Sequence, residues 1–339
     1  MNLDGLGAGN VSPAVLILGA GATRGASFVA GRAGAPQPPL DADFFLQLER
    51  MSNRSADIRY LLERVAEEFG GFASRSMELV FSQLVASGDI AQLQRRPGRP
   101  LGTYKRMQDA FLVALVELFA EAIGDRSCDF HNAIVSTLRS GDSVISFNYD
   151  CLIDQTLATV HGVQSRFDPA RSYGFAAALG AQYWGGPVRR RIRSPIQLLK
   201  PHGSLNWRVS SKGGVTTLAL RADPYVGSAA ERIIPPIAGK SIAAEPFATV
   251  WAAARDALAR CRALVVVGYS APDVDALSQA LIRLHLATEV PRRLSALVVA
   301  NPNQDVRNRW RSLCATAIRP ARTRIFEYRT LDELAGAIS

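Results

Sequence analysis

The chain has 339 residues, 48% hydrophobic and 20% charged, which are globular values with enough length for a sizeable core. No apolar run reaches the roughly 18–20 residues needed to cross a bilayer, and the N-terminal stretch lacks a basic leader, so a soluble, cytoplasmic protein without a membrane partner is expected. Cys128, Cys151, Cys261 and Cys314 form no C-x-x-C pair; this excludes the usual zinc module and predicts no metal, only free buried thiols.

The first predicted element is a buried parallel strand from Val15, an apolar run that breaks into the glycine turn GAGAT at 19–23. Gly19 and Gly21 permit close backbone approach, and a helix starting there would aim its N–H groups at an anion. The alternative is a strand-to-helix turn with no ligand. The turn lacks the G-x-G-x-x-G spacing of a dehydrogenase: Arg24 stands at the third glycine position and Gly25 falls one place late.

A Pro/Gly-rich loop at 31–40 follows, then helical periodicity over 41–90, a basic loop at 91–103, and helices over 104–124 and 128–140. A second buried strand, SVISFNYD (143–150), leads into a helix at 151–157. Residues 162–195 read as irregular. QLLKPHGSLNW (197–207) reads as a strand ending at a His-Gly turn, RALVVVGYS (262–270) as a fourth strand opening a helix near Asp275, and SALVVANPN (295–303) as a fifth. A short strand near residues 327–329 precedes a terminal helix. Strands alternating with helices predict an α/β, doubly wound parallel, Rossmann-like sheet. Its domain would comprise 11–40 and 141–339, with 41–140 as a helical insertion or second lobe.

Each predicted strand ends in glycine or polar residues, and ligands of open α/β sheets bind at the carboxyl ends of strands. The net charge of +9 is concentrated partly in RRPGR (95–99) and RRRIR (189–193). Without interleaved aromatics these clusters read as solvated loops, with direct nucleic-acid binding as the alternative.

The ordered set GAG, FNYD, HG, GYS and NPN, spread over residues 15–303, resembles the sirtuin superfamily, in the bacterial SIR2-like branch found in antiviral defence proteins. PPLDADFF at 38–45 resembles the segment that follows the first loop in that branch. The resemblance implies NAD⁺ as substrate. Gly19, Ala20, Gly21 and Ala22 would present N–H groups to the pyrophosphate, with Thr23 adding a hydroxyl. Gly268, Tyr269 and Ser270 would line the adenosine half, and Asn301 would bond the adenine ribose. Asp43 and Phe44 would join the cofactor-binding residues. Asn148, Asp150 and His202 would surround the nicotinamide ribose as catalytic residues.

The residue types suit cleavage of nicotinamide on chemical grounds. The leaving group is already cationic, so the reaction needs a positioned water and a base rather than a general acid. Asn148 can orient a water or hydroxyl, and His202 has an unperturbed pKa near neutrality. Asp150 can accept a bond from the carboxamide. The structural alternatives are a turn-capping histidine for His202, and a turn and a helix cap for Asn148 and Asp150.

Nothing after His202 matches the zinc module of sirtuin deacylases, and Phe45 stands where their loop carries arginine, so a deacetylase is not predicted. The expectation is an NAD⁺ glycohydrolase acting in abortive infection. It would be restrained by homo-oligomerisation or by a partner such as a HerA-type ATPase or an Argonaute-related protein. A non-catalytic NAD⁺ or ADP-ribose sensor and an ADP-ribosyltransferase are the alternatives.

Overall fold

The computed structural model describes residues 1–32, 34–71, 75–94, 101–162, 166–179, 192, 194–209, 214–217, 233, 242–289 and 293–338. Both arginine clusters, at 95–99 and 189–193, lie outside the described residues except for Ile192, as does much of the irregular stretch at 162–195.

Six parallel strands form the main sheet: β1 (Ala14–Leu18), β2 (Ser143–Ser146), β3 (Gln197–Leu199), β4 (Ala263–Val267), β5 (Ala296–Ala300) and β6 (Arg324–Tyr328). Their spatial order is β3-β2-β1-β4-β5-β6, the order of a Rossmann-like sheet. Every residue of β1, β2, β4 and β5 is buried. Covering both faces explains their continuous apolar runs, each buried Val, Leu or Ile contributing about 1.5–3 kcal/mol. β1 aligns with β4 from Ala14 opposite Ala263 to Leu18 opposite Val267, so the two chains leave the sheet at the same level.

β1 runs directly into a short helix, α1 (Ala20–Arg24). The helical stretch that follows contains α2 (Phe44–Glu49), α3 (Ala56–Phe69), α4 (Met77–Gln94), α5 (Leu101–Ala122) and α6 (Asp129–Ser136). α5 is the hub against which α2, α3 and α4 pack, around Phe44, Phe81 and Phe111. α6 packs instead on α7 (Leu152–His161) and α11 (Leu331–Ile338), in a layer against the sheet. The crossovers α8 (Phe247–Ala259), α9 (Ala276–His285) and α10 (Gln304–Leu313) form a second contiguous series. Right-handed crossovers put these two series on opposite faces. One hydrophobic core runs through sheet and helical stretch alike, taking in Ile17, Val266, Phe44 and Leu115.

Two strands of the main sheet differ from the sequence reading, and α8 was not foreseen. β3 stops at Leu199, short of the His-Gly turn at 202–203 where it was expected to end, because Pro201 has no N–H for a ladder. β6 begins at Arg324, before the expected 327. It is the edge strand and its first residues are exposed, which removes the apolar signal. The four cysteines are buried free thiols. No helix among the described residues is long and apolar enough to cross a membrane.

Candidate active site

The site is organised by two turns that cross where the strand order reverses, between β1 and β4. The Gly19 N–H donates to the Val267 carbonyl at 3.1 Å and the Gly21 N–H to the Gly268 carbonyl at 2.9 Å. A Cβ on Gly19 would come within 2.5 Å of the Tyr269 Cα, and one on Gly21 within 2.8 Å of the Gly268 oxygen. Gly268 itself has φ +62, and its Cβ would run into the backbone of Gly21 and Ala22. The glycines are thus required by the approach of one turn to the other. Three of the four N–H groups expected to face a pyrophosphate are engaged inside the protein, since the Ala22 N–H also donates, to the Gly19 carbonyl at 2.9 Å. The N–H of exposed Ala20, at the start of α1, takes no partner among the described residues.

The end of β2 is locked onto the same turn. Asn148 Nδ2 donates to the Gly19 carbonyl and to Thr23 Oγ1, both at 3.0 Å. The Thr23 hydroxyl in turn donates to Asp150 Oδ2 at 2.9 Å, and Asp150 Oδ1 accepts the Leu152 N–H at 3.0 Å. Burial pushes the Asp150 carboxyl up, opposed by the charge of Lys200 and by the Leu152 and Thr23 bonds.

A buried polar network fixes the segment after β3. Lys200 Nζ donates to the Asp150 carbonyl (2.6 Å), Asp154 Oδ2 (3.0 Å) and Ser204 Oγ (2.6 Å). Ser204 donates to Asn206 Oδ1 at 2.6 Å, and the Tyr173 hydroxyl to Asp154 Oδ1 at 2.5 Å. Burial pulls the Lys200 ammonium down, but the Asp154, Cys151 and Asp150 charges outweigh it and its pKa is raised. Asp154 therefore neutralises Lys200, and Ser204 and Asn206 are satisfied within the same network beneath the turn that carries His202.

These strand ends enclose a cavity of about 440 Å³, within the range of small-molecule sites. Gly19, Ala20, Gly21, Thr23, Asn148, Asp150, His202, Gly268, Tyr269, Ser270 and Asn301 all line it. Ala22 does not; it is wholly buried beneath the turn. Asp43 and Phe44 do not either. Asp43 pairs with Arg24 and accepts the Leu40 N–H at 2.8 Å, while Phe44 sits in the aromatic core. Their neighbours Leu40, Asp41 and Ala42 form the wall instead, with Met77, Glu78, Leu115 and Phe119 of the helical stretch.

No family model and no curated protein matches the chain.

His202 is buried on an aromatic bed. Its ring centroid lies 5.2 Å from Phe147 and 6.5 Å from Trp251, and Phe147 stacks on Tyr269 at 4.3 Å. The Trp251 indole donates to the Pro201 carbonyl at 3.0 Å, which anchors the turn. Carboxylates of Asp41, Glu78, Asp150 and Asp275 line the cavity, and no Lys or Arg does among the described residues. The negative charges of Glu78, Asp275 and Asp41 add to burial in raising the Tyr149 phenol.

Sequence reasoning missed Asp275, Glu78 and the Lys200–Asp154 pair. Asp275 stands where an ordinary helix cap is expected, and Glu78 lies on an unremarkable helix. A signal for the pair was present: lysine and proline inside an apolar strand pattern imply a buried charge, and a buried charge needs a partner.

Proposed function

We propose that this chain is an NAD⁺ glycohydrolase, converting NAD⁺ to nicotinamide and ADP-ribose. The observation that carries the reading is that His202, from the end of β3, and Asn148, from the end of β2, open onto the same cavity as the crossing glycine turns of β1 and β4. Rossmann-like sheets bind nucleotides at that switch point.

In the reaction, the bond between the ribose C1′ and the pyridinium nitrogen breaks, and its electron pair leaves with neutral nicotinamide. A water oxygen bonds to C1′ and its proton passes to His202. The developing sugar cation is favoured by the surrounding carboxylates. The same acidic wall suits the cationic pyridinium of the substrate. The pyrophosphate has no side-chain cation to meet among the described lining residues, so the Ala20 N–H and backbone dipoles are its partners.

A second reading, a non-catalytic NAD⁺ or ADP-ribose sensor, is favoured by one observation. The Asn148 amide and both oxygens of Asp150 are already engaged within the protein. The resemblance to SIR2-like defence proteins extends the proposal to abortive infection through NAD⁺ depletion. Control would come from self-assembly or from a HerA-type ATPase or Argonaute-related partner.

The test is chromatographic detection of nicotinamide and ADP-ribose after incubation of the purified chain with NAD⁺, beside His202→Ala. Product from the wild type alone supports the glycohydrolase. Equal product from both removes His202 from the mechanism. Bound NAD⁺ without turnover, alone and with candidate partners, supports the sensor.

A further inference from the structure

The loop between β4 and α9 brings a carboxylate to His202. Asp275 occupies the N-cap position of α9, where aspartate ordinarily bonds an N–H of its own helix, yet its side chain makes no capping bond. The carboxylate is buried and turned inward. Its Oδ2 accepts the Tyr269 hydroxyl at 2.8 Å and lies 3.5 Å from His202 Nε2.

The loop is held in this course from several sides. Ala271 has φ +46, a conformation that L-residues adopt only when their surroundings impose it. Gln279 Nε2 donates to the Ala271 and Pro272 carbonyls at 2.9 and 3.1 Å. Arg309 Nη1 donates to the Ser270 and Ala271 carbonyls at 3.2 and 3.1 Å. Trp310 Nε1 donates to the Tyr269 carbonyl at 2.8 Å. Among the described residues, Phe147 and Tyr149 at the end of β2 and Trp251 of α8 also pack near the His202 ring. Of these only Tyr149 is titratable, and burial holds its phenol protonated. Lys200, on the same segment, is tied to Asp154. Asp275 thus sets a carboxylate against the imidazole.

We propose that Asp275 is the positioning residue of the site, holding the His202 imidazole with its Nε2–H toward the carboxylate and Nδ1 as the proton acceptor, with the Tyr269 hydroxyl setting the strength of that carboxylate. When Nδ1 takes the proton from water, the imidazolium keeps its Nε2–H, and Asp275 remains ionised beside it. No proton passes to the carboxylate. The role assigned to Nδ1 rests on the glycohydrolase reading; the Asp275–His202 pair does not.

The test is titration of the four histidines of the full chain by NMR of ¹⁵N-labelled imidazoles, with His202→Ala to assign the signal. Asp275→Asn is expected to lower the His202 pKa by about one unit or more, the effect of removing an adjacent opposite charge. Tyr269→Phe is expected to move it the other way, because a carboxylate without its hydroxyl donor holds the imidazolium more strongly. His131, His161 and His285 should titrate unchanged in both variants, which separates this effect from damage to the fold. If the acidic limb of kcat/KM for nicotinamide release follows the His202 titration in each variant, the pair serves the reaction. An unmoved His202 titration in either folded variant overturns the proposal, whether or not the chain hydrolyses NAD⁺. A moved titration in a chain that releases no nicotinamide upholds the pair and rejects the glycohydrolase reading.

Discussion

The Asn148 side-chain amide donates to the Gly19 carbonyl at 3.0 Å, so the residue expected to orient substrate also ties the end of β2 to the turn after β1. Asn148→Ala deletes that bond and the one to Thr23, leaving the Gly19 carbonyl with the Ala22 N–H alone among the described residues. The expected loss is about 1–3 kcal/mol in urea unfolding. Asn148→Asp should cost more, because it sets a carboxylate against the Gly19 carbonyl oxygen. A lowered turnover in Asn148→Ala with undiminished stability would assign the residue to chemistry alone.

Lys200 and Asp154 are both fully buried. Lys200→Met leaves the buried Asp154 carboxyl without its cation, and a broken buried pair typically costs about 3–5 kcal/mol. Lys200→Met combined with Asp154→Leu removes both charges and should recover a substantial part of that loss. The comparison is made by chemical denaturation of the two variants and the wild type.

Gly268→Ala is expected to abolish soluble expression or lower the thermal midpoint severely, since φ is +62 and the new methyl collides with the Gly21 and Ala22 backbone. Gly141→Ala is the control. Its φ is +89, but nothing lies within 4 Å of the added carbon, so only a backbone cost of about 1–2 kcal/mol is expected. Equal effects would show that the crossing of the turns is not what requires glycine.

Burial lowers the His131 imidazole to about 4, against the raising effect of Asp150. It is neutral in the folded chain and protonates more readily when unfolded. Its contribution to stability is complete above about pH 6.5 and is lost as pH falls from there toward 4, amounting to about 2 kcal/mol by pH 5. Asp150 runs the opposite way, because a raised carboxyl loses stability as pH climbs through its folded value. Urea titrations of wild type and His131→Gln at pH 7 and pH 5 isolate the histidine. The gap between the two proteins should change by that amount.

The sheet was legible because four of its strands are covered on both faces and so read as unbroken apolar runs. The cavity lining was legible where a strand end carries a residue type that an apolar strand has no use for, as at Asn148 and His202. At Gly19, Gly21 and Ala22 the N–H groups expected to face a pyrophosphate are engaged inside the protein, and a glycine that admits a ligand and one that admits another turn look alike in sequence. Asp43 and Phe44 were misplaced by one turn of chain. The loop does reach the cavity, but through Leu40–Ala42, while Asp43 turns to Arg24. Asp275 was invisible because its helix-start position already explains an aspartate, and only the fold shows its carboxylate turned toward His202.

Leu115 and Phe119 of α5 close one side of the cavity, whereas His202, Asn148 and Asp275 stand on strand ends and the loops that follow them. The chamber is thus built from two parts of the chain that shape it separately. Substitution along α5 can alter its bore, and with it the molecules admitted, while the hydrogen bonds around the strand ends stay as they are.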